Sequence, residues 1–129
     1  MAAEQLVVHA RRARTHAYAP YSHYFVGAAV LTRAGEVFTG CNIENASFGL
    51  TICAERVAMA NAIAAGQRDF VMLALITANG GSPCGACRQV MIEFCDIRTR
   101  IHLVNKQGLQ KTFTLGELLP EAFNSSDLI

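Results

Sequence analysis

Charged side chains are scarce in this sequence, and those present form no patch of a single sign. Only 16% of its 129 residues are charged, against a usual share of about 25%, and the formal net charge is +1. The densest basic stretch is residues 11–14, whereas nucleic-acid-binding proteins normally carry a longer basic stripe. The composition therefore argues against a nucleic-acid partner, and so little charge suggests that partner subunits cover part of the surface.

Long apolar runs and a targeting segment are missing as well. The most apolar stretch, residues 70–78, is shorter than the roughly 20 residues that cross a bilayer. The first residues lack the cationic and apolar segments of a secretory signal, so we expect a cytoplasmic protein without membrane contact. Because 52% of the residues are hydrophobic, disorder is excluded, and we expect residues 1–129 to form one domain.

Cysteine is the most informative residue among those present. Its five copies are an odd number in a chain without a recognisable export signal, which argues against a disulfide framework. They stand at positions 41, 53, 84, 87 and 95. Cysteines at short spacing are therefore interpreted as metal ligands or redox groups.

The apolar pattern predicts alternating helices and strands. Helices are predicted at 4–18, 52–65 and 84–95, with a short helix opened by a capping box at 114–117. Strands are predicted at 26–32, 37–41, 70–77, 100–104 and 110–113. This order predicts the α/β class, as a three-layer α/β/α sandwich with a mixed five-stranded sheet. The link between the last two strands is too short for a parallel crossover, so we expect them to pair antiparallel.

Three cysteines are predicted to meet at the starts of two helices. Cys84 and Cys87 are three residues apart, so on a helix they share one face and both sulfurs can reach one ion at about 2.3 Å. Cys53 can be the third ligand if the two helix starts face each other. A zinc ion with three protein ligands keeps one coordination position open, which is typical of a catalytic site.

The residues beside these cysteines suit a reactive zinc site. Three thiolates outweigh the charge of Zn²⁺, which works against ionisation of a bound water. Helix N-termini and Arg56 are placed to withdraw negative charge from the sulfurs. Glu55, two residues after Cys53, can face the open position and carry protons without binding the metal.

Two other interpretations of the cysteines stay open at this point. Cys84 and Cys87 after an apolar strand also suit a thioredoxin-like redox pair, although this leaves the rest of the cluster unexplained. A closed structural zinc site needs a fourth ligand, and no histidine has the required spacing. Cys41 and Cys95 are interpreted as core residues, which is the usual role of a single buried cysteine.

The same segments resemble a known family. Residues 53–56 (Cys-Ala-Glu-Arg) and 83–89 (Pro-Cys-Gly-Ala-Cys-Arg-Gln) are similar to the motifs of the small homotetrameric cytidine deaminases of pyrimidine salvage. These belong to the three-cysteine branch of the zinc deaminases, in which Cys replaces the His of the usual signature. The resemblance extends from the Tyr-Ala-Pro-Tyr-Ser-His segment at 18–23 to the Leu-Leu-Pro segment at 118–120.

This resemblance implies a hydrolase that acts on the C–N bond of a free nucleoside, and it also implies a homotetramer. Zinc, one ion per subunit, would be held by Cys53, Cys84 and Cys87, and its hydroxide would attack C4 of cytidine or 2′-deoxycytidine. Glu55 would take the water proton, protonate N3 and help ammonia leave. The products would be uridine or 2′-deoxyuridine.

Matching positions also indicate how the nucleoside would be held. Asn42 and Glu44 match the family residues that hydrogen-bond the ribose 3′-hydroxyl, although a loop Asn and Glu by themselves are usually solvated turn residues. Backbone groups near Ala54 and Cys84 would contact the edge of the pyrimidine. The resemblance therefore predicts a sugar subsite at Asn42 and Glu44 and a base subsite near Ala54 and Cys84.

Aromatic positions depart in part from the family pattern. Tyr24 aligns with the Phe that packs against the base, and Phe25 stands where Pro is common. Phe48 stands where many members have Tyr, which removes one hydroxyl near the sugar. Phe123 resembles the C-terminal Phe that a neighbouring subunit supplies to the base, and simple packing of the tail is the alternative.

Three competing functions stay open. A deaminase of another small aminopyrimidine nucleoside, of the antibiotic type, would keep the fold, but Asn42 and Glu44 favour an ordinary ribose. A nucleic-acid deaminase is disfavoured by the near-neutral charge and by the short link between the last two strands. A redox or non-catalytic zinc protein would release no ammonia from cytidine, so that assay separates it from a deaminase.

Overall fold

Helices cover both faces of a mixed five-stranded sheet in the computed structural model, which describes residues 1–128 and not Ile129. The helices are α1 (Ala3–Arg14), α2 (Ala54–Ala64), α3 (Gly85–Phe94) and α4 (Leu115–Leu118). The strands are β1 (Gly27–Thr32), β2 (Val37–Cys41), β3 (Phe70–Ile76), β4 (Cys95–Val104) and β5 (Gln110–Thr114). Short 3₁₀ turns lie at Phe48–Leu50 and Ser125–Leu128. Across residues 1–128, no helix has both the length and the apolar character that a membrane crossing requires.

The sheet confirms the predicted class and layers. The strand order is β2-β1-β3-β4-β5, in which β3 and β4 run parallel and the other neighbours, including β4 and β5, run antiparallel. β1 is buried along its whole length because helices cover both of its faces. Leu6 and Ala10 of α1 pack on one side with Ile76, while Met59 of α2 and Met91 of α3 belong to the core on the other side.

Two helix boundaries differ from the predicted ones because of pairing between distant backbone segments. α1 ends at Arg14 rather than at residue 18, since the Tyr18 amide donates to the Asn42 carbonyl and its carbonyl accepts from the Glu44 amide, each at 2.9 Å. α2 begins at Ala54 rather than at residue 52. Here Ile52 and Ile43 exchange both backbone hydrogen bonds at 3.0 Å, which keeps this stretch extended.

β4 also begins earlier than its apolar pattern predicts. It starts at Cys95, directly after α3, because Cys95 pairs with Phe70 of β3. The register of the β3–β4 pair then shifts before Arg100, and Asp96 accepts the backbone N–H of Arg98 at 2.7 Å. The residues of this irregular stretch are mostly polar and do not alternate with apolar residues, so the sequence pattern does not predict a strand there.

The topology brings the starts of α2 and α3 to one edge of the sheet. β2 and β3 both run antiparallel to β1, so their carboxyl ends lie at the same edge, and α2 and α3 follow them in the chain. A glycine lets α2 lie directly against β2: a Cβ on Gly40 would come within 2.4 Å of the Ala58 nitrogen and 2.6 Å of the Ala54 oxygen. The close approach fixes the position of the residue that precedes α2, which is Cys53.

Candidate active site

Three cysteine sulfurs converge where α2 and α3 begin. Cys53 and Cys84 directly precede the two helices, and Cys87 lies in the first turn of α3. The Sγ atoms of Cys53 and Cys84 are 3.9 Å apart, and those of Cys84 and Cys87 are 3.5 Å apart. All three sulfurs lie within 4.8 Å of one another. The spacing argument from the sequence therefore describes the observed arrangement.

These separations fit a tetrahedral metal ion. Zinc–sulfur bonds of about 2.3 Å at tetrahedral angles place sulfurs roughly 3.8 Å apart, which is close to the two measured distances. A set of thiolates is the donor set that zinc favours. Cys87 is buried whereas Cys84 is exposed, so the group is reachable from one side. The three cysteines are placed to hold a metal ion.

The remaining two cysteines lie elsewhere. Cys95 is half-buried and packs against the larger of the two apolar clusters, where burial raises the pKa of its thiol to about 12. Cys41 is also half-buried, and burial raises the pKa of its thiol. Neither sulfur is among those of residues 1–128 that form the metal-binding group. Both thiols are therefore poor ligands where they stand.

Arg56 supplies positive charge beside the sulfurs. Its Nη2 lies 3.5 Å from the Sγ of Cys53. The neighbouring Cys87 thiol, as hydrogen-bond donor, and the Arg56 guanidinium together lower the pKa of Cys53 to about 5. The same contact with Cys53, together with burial, raises the pKa of Cys87. One thiolate is therefore favoured by the protein groups themselves.

Glu55 is a buried carboxyl group in the wall of a pocket that Cys53 and Cys84 also line. It is 4% exposed, and burial raises its pKa, with the negative charge of Cys53 acting in the same direction. A raised pKa brings a carboxyl group closer to the pH range in which it can both accept and give up a proton. Its position next to the sulfurs makes it the group best suited to move protons in this pocket.

The pocket gathers residues from four parts of the chain. Sequence-predicted site residues in its wall are Tyr24, Asn42, Glu44, Cys53, Ala54, Glu55 and Cys84. Phe48 lies beside it, in an adjoining depression shared with Ser22 and Glu44. Phe25 lines a different depression, next to Arg11 and Arg14. The structure thus brings the Tyr24 side chain, and not that of Phe25, to this pocket.

Phe123 lies outside the pocket of its own chain. Its side chain is 56% exposed, and its backbone carbonyl accepts a hydrogen bond of 2.8 Å from the Gln89 side chain. Gln89 belongs to α3, which also carries Cys87. The tail is therefore held against the helix of the metal-binding group while the phenyl ring faces outward.

Asn42 has a structural task that sequence reasoning missed. The side chain is 7% exposed; its Oδ1 accepts from the Val26 amide at 3.0 Å, and its Nδ2 donates to the Tyr24 carbonyl at 2.7 Å. Nδ2 has a second N–H, which is the group left for a ligand. Asn42 therefore shapes the 24–26 segment of the pocket.

Glu44 is held as an ionised acceptor. Its Oε1 accepts from the backbone amides of Tyr21 and Ser22 at 3.0 and 3.1 Å, and its Oε2 accepts from the Ser22 hydroxyl. The bond from the Ser22 hydroxyl lowers the pKa of Glu44. A carboxylate has about four acceptor positions, so Glu44 retains room for one more donor.

Arg88 is a site-supporting residue to which the motif analysis gave no role. Its guanidinium donates to the Pro83 carbonyl at 2.8 Å, to the Ser82 hydroxyl at 2.6 Å and to the Leu118 carbonyl. It thereby ties the loop before Cys84 to the end of α4. The only sequence signal is its place directly after Cys87, within the motif.

Comparison with known proteins agrees with this geometry. Residues 1–103 match the family model described as the cytidine and deoxycytidylate deaminase zinc-binding region. A protein named cytidine deaminase from Halalkalibacterium halodurans is 49% identical over 127 residues, covering 97% of this chain and 96% of that protein. Another protein of that name, from Sporosarcina psychrophila, is 45% identical over 130 residues, covering 99% and 96%.

Among solved structures, the 1.6 Å crystal structure of cytidine deaminase from Burkholderia pseudomallei superposes with a TM-score of 0.91. That chain is 49% identical, and the match covers 95% of this chain and 100% of the other. Likeness at this level, over nearly the whole of both chains, shows that the two proteins share the fold.

The geometry predicts which cysteines retain zinc. Replacement Cys84→Ala removes one of three ligands, so we expect zinc affinity to fall by more than the roughly 10- to 100-fold seen when only a supporting group is lost. Cys41→Ala is the matched control, and we expect it to keep the wild-type zinc content. Metal analysis after dialysis against a graded series of chelator concentrations measures both. Equal zinc retention in the two variants would contradict the assignment.

Proposed function

The chain belongs to the family of zinc-binding cytidine and deoxycytidylate deaminases, and we propose that it converts free cytidine and 2′-deoxycytidine to uridine and 2′-deoxyuridine. The reaction is hydrolytic and releases ammonia. The observation that carries the proposal is the convergence of three cysteine sulfurs, two of which, those of Cys53 and Cys84, belong to residues that line one pocket with the buried carboxyl group of Glu55. The names of the relatives support cytidine as the substrate class.

Cys53, Cys84 and Cys87 would hold one zinc ion. When bound, zinc supplies Lewis-acid chemistry that lowers the pKa of a coordinated water toward 7. The chain supports this chemistry by offsetting the negative charge of the sulfurs. Arg56 lies 3.5 Å from the Cys53 sulfur, and the N-termini of α2 and α3 add partial positive charge at the same place.

Glu55 performs the proton transfers in this proposal. Its carboxylate takes a proton from the water that attacks C4 and delivers it to N3 of the ring. It then takes the remaining proton from the hydroxyl group on C4 and passes it to the amino group, so that the C4–N bond breaks, ammonia leaves and the carbonyl of uridine remains. Burial supports this role because it raises the pKa of Glu55 toward the range in which a carboxyl group serves as base and as acid.

The nucleoside is oriented by groups on either side of Glu55. Glu44 accepts a hydrogen bond from the ribose 3′-hydroxyl, and the free N–H of Asn42 donates to the same oxygen. Phe48 borders the sugar side. Backbone groups of Ala54 and Cys84 meet the edge of the pyrimidine, with the Tyr24 ring on the base side. These role assignments are supported by the positions of the residues, which all lie in or beside one pocket.

We further propose that residues 1–129 form one deaminase domain, that four copies assemble, and that the enzyme works in the cytoplasm in pyrimidine salvage. An exposed apolar rim next to the site supports assembly: Tyr18, Ile43, Phe48, Leu50 and Ile52 are each 42% to 75% exposed. Monomers rarely expose a continuous apolar patch of this kind without a partner. The outward ring of Phe123 would then reach the base in a neighbouring site.

The first prediction concerns the proton carrier. Glu55→Gln keeps the shape of the side chain but cannot accept the proton, so we expect kcat for cytidine to fall by about 10²- to 10⁴-fold while the zinc content stays the same. Glu36→Gln, on the exposed turn between β1 and β2, is the control. Turnover is followed by the fall in cytosine absorbance and by ammonia release.

Two outcomes separate the parts of this proposal. A zinc-loaded wild-type protein that releases no ammonia from either nucleoside would overturn the proposed activity. If Glu55→Gln retained more than about a tenth of wild-type turnover, well above the usual effect of losing a general base, proton transfer would belong to another group.

A second prediction concerns the sugar. Glu44→Ala removes a charged acceptor, so we expect kcat/KM for cytidine to fall by about 10- to 100-fold with zinc content unchanged. With 3′-deoxycytidine, which lacks the hydroxyl, wild type and variant should have similar kcat/KM. Glu36→Ala is the matched control because it removes an exposed carboxylate that does not line the pocket, and it should leave kcat/KM unchanged with both nucleosides. An equal loss with both nucleosides would indicate that Glu44 only supports the loop.

The third prediction concerns assembly. Light scattering on the eluted protein should give four times the mass of one chain. Phe123→Ala and Glu55→Gln should each be weak alone, whereas co-expressed mixtures should regain activity, because some sites would combine Glu55 of one chain with Phe123 of another. A monomeric enzyme, or a mixture no more active than the sum of its parts, would refute the shared site.

A further inference from the structure

A side-chain network joins the two walls of the pocket at its rim. Asn79 lies in the loop between β3 and α3, and its Oδ1 accepts three hydrogen bonds. The donors are the Tyr24 hydroxyl at 2.8 Å, the Gly81 amide at 3.1 Å and the Thr77 hydroxyl at 3.2 Å. The Gly81 amide also donates to the Thr77 hydroxyl oxygen at 2.9 Å. Tyr24 is the only member from the opposite wall.

Tyr24 is held at both ends. Its backbone amide donates to the Ser22 hydroxyl at 3.0 Å, and its carbonyl accepts from Asn42 at 2.7 Å. Its hydroxyl lies so close to Gly81 that a Cβ there would come within 2.4 Å of it. The absence of a side chain at Gly81 therefore leaves room for the Tyr24 hydroxyl to reach Asn79. The ring is held between the two walls of the pocket.

The loop that receives this hydroxyl leads directly to the metal-binding group. Thr77 is 2% exposed at the end of β3, and its amide donates to the Val104 carbonyl at 3.1 Å, which fixes the start of the loop. The other end is Cys84. Asn79 therefore links the Tyr24 ring to a loop whose start is fixed on the sheet. The ring lines the pocket together with Gly81 and Thr77.

We propose that Asn79 is a positioning residue. By accepting a hydrogen bond from the Tyr24 hydroxyl, it connects the two walls of the pocket and fixes the position of the ring against which the pyrimidine packs. This hydrogen bond is called the latch below. The inference rests on the proposed nucleoside deaminase activity, which it deepens. Asn79 itself is not among the residues that line the pocket. If the ring is ordered before the substrate arrives, binding does not have to supply the conformational entropy that ordering the ring would cost. The latch therefore acts on KM rather than on kcat.

The test is a double-mutant cycle on the zinc-loaded enzyme with cytidine. Tyr24→Phe removes only the hydroxyl, and a neutral hydrogen bond of this kind corresponds to about a threefold to tenfold effect, so KM should rise by that factor with kcat within about twofold. Asn79→Ala should raise KM at least as much. In the Asn79→Ala background, adding Tyr24→Phe should change KM little, because the bond is already lost.

Two matched variants separate positioning from a general loss of structure. Asn79→Asp keeps an oxygen acceptor at the same place and should restore KM to near the wild-type value. Gln107→Ala removes an exposed amide on the turn between β4 and β5, outside the pocket wall, and should leave both constants unchanged. If Asn79→Asp were as impaired as Asn79→Ala, the oxygen acceptor would not be the important feature.

A readout that needs no turnover tests the latch by itself. Hydrogen exchange of the Gly81 amide should be faster in Asn79→Ala, which removes one of its acceptors, and faster in Tyr24→Phe, which frees the loop. Unchanged exchange in both variants would overturn the latch, as would unchanged KM in Tyr24→Phe or additive effects in the double variant. Absence of cytidine turnover in the wild type would instead refute the proposed activity and leave the exchange result to decide on the latch.

Discussion

Three cysteine sulfurs within 4.8 Å of one another, which would repel one another if all were thiolates, are the constraint on which the rest of the structure depends. Thiolates at this distance need positive charge from several sources. The protein contributes two helix N-termini and Arg56. One thiolate is favoured by neighbouring side chains: the hydrogen bond from the Cys87 thiol and the Arg56 guanidinium lower the pKa of Cys53, whereas contact with Cys53 and burial raise that of Cys87. A divalent cation supplies the charge that would allow all three to ionise together.

The scaffold meets this constraint with contacts that lie away from the sulfurs. Gly40 allows α2 to approach β2 until a Cβ would no longer fit, which sets the height of Cys53 above the sheet. Arg88 ties the loop before Cys84 to α4 through Ser82 and Leu118. Cys53 is thus positioned by α2 and by the close approach at Gly40, whereas Cys84 and Cys87 are positioned by α3 and by the contacts of Arg88. Neither contact involves a metal ligand directly.

The parts that could be predicted from sequence are those set by local geometry. The shared face of Cys84 and Cys87 depends only on helical spacing, and the antiparallel pairing of β4 and β5 only on the length of their link. The end of α1 could not be predicted because it is set by the pairing of Tyr18 with a distant segment. The same reason applies to Asn42 and Asn79, whose partners lie far along the chain.

The surroundings of two carboxyl groups in this pocket shift their pKa values in opposite directions. This difference supports their different proposed tasks. Glu55 is buried, and the loss of solvent raises its pKa; Glu44 accepts from two backbone amides and a hydroxyl, and that hydroxyl lowers its pKa. A group that changes protonation easily suits proton transfer, whereas a group that stays ionised suits the steady recognition of a hydroxyl. Exchanging the two environments would exchange the two tasks, because the side chains themselves are chemically the same.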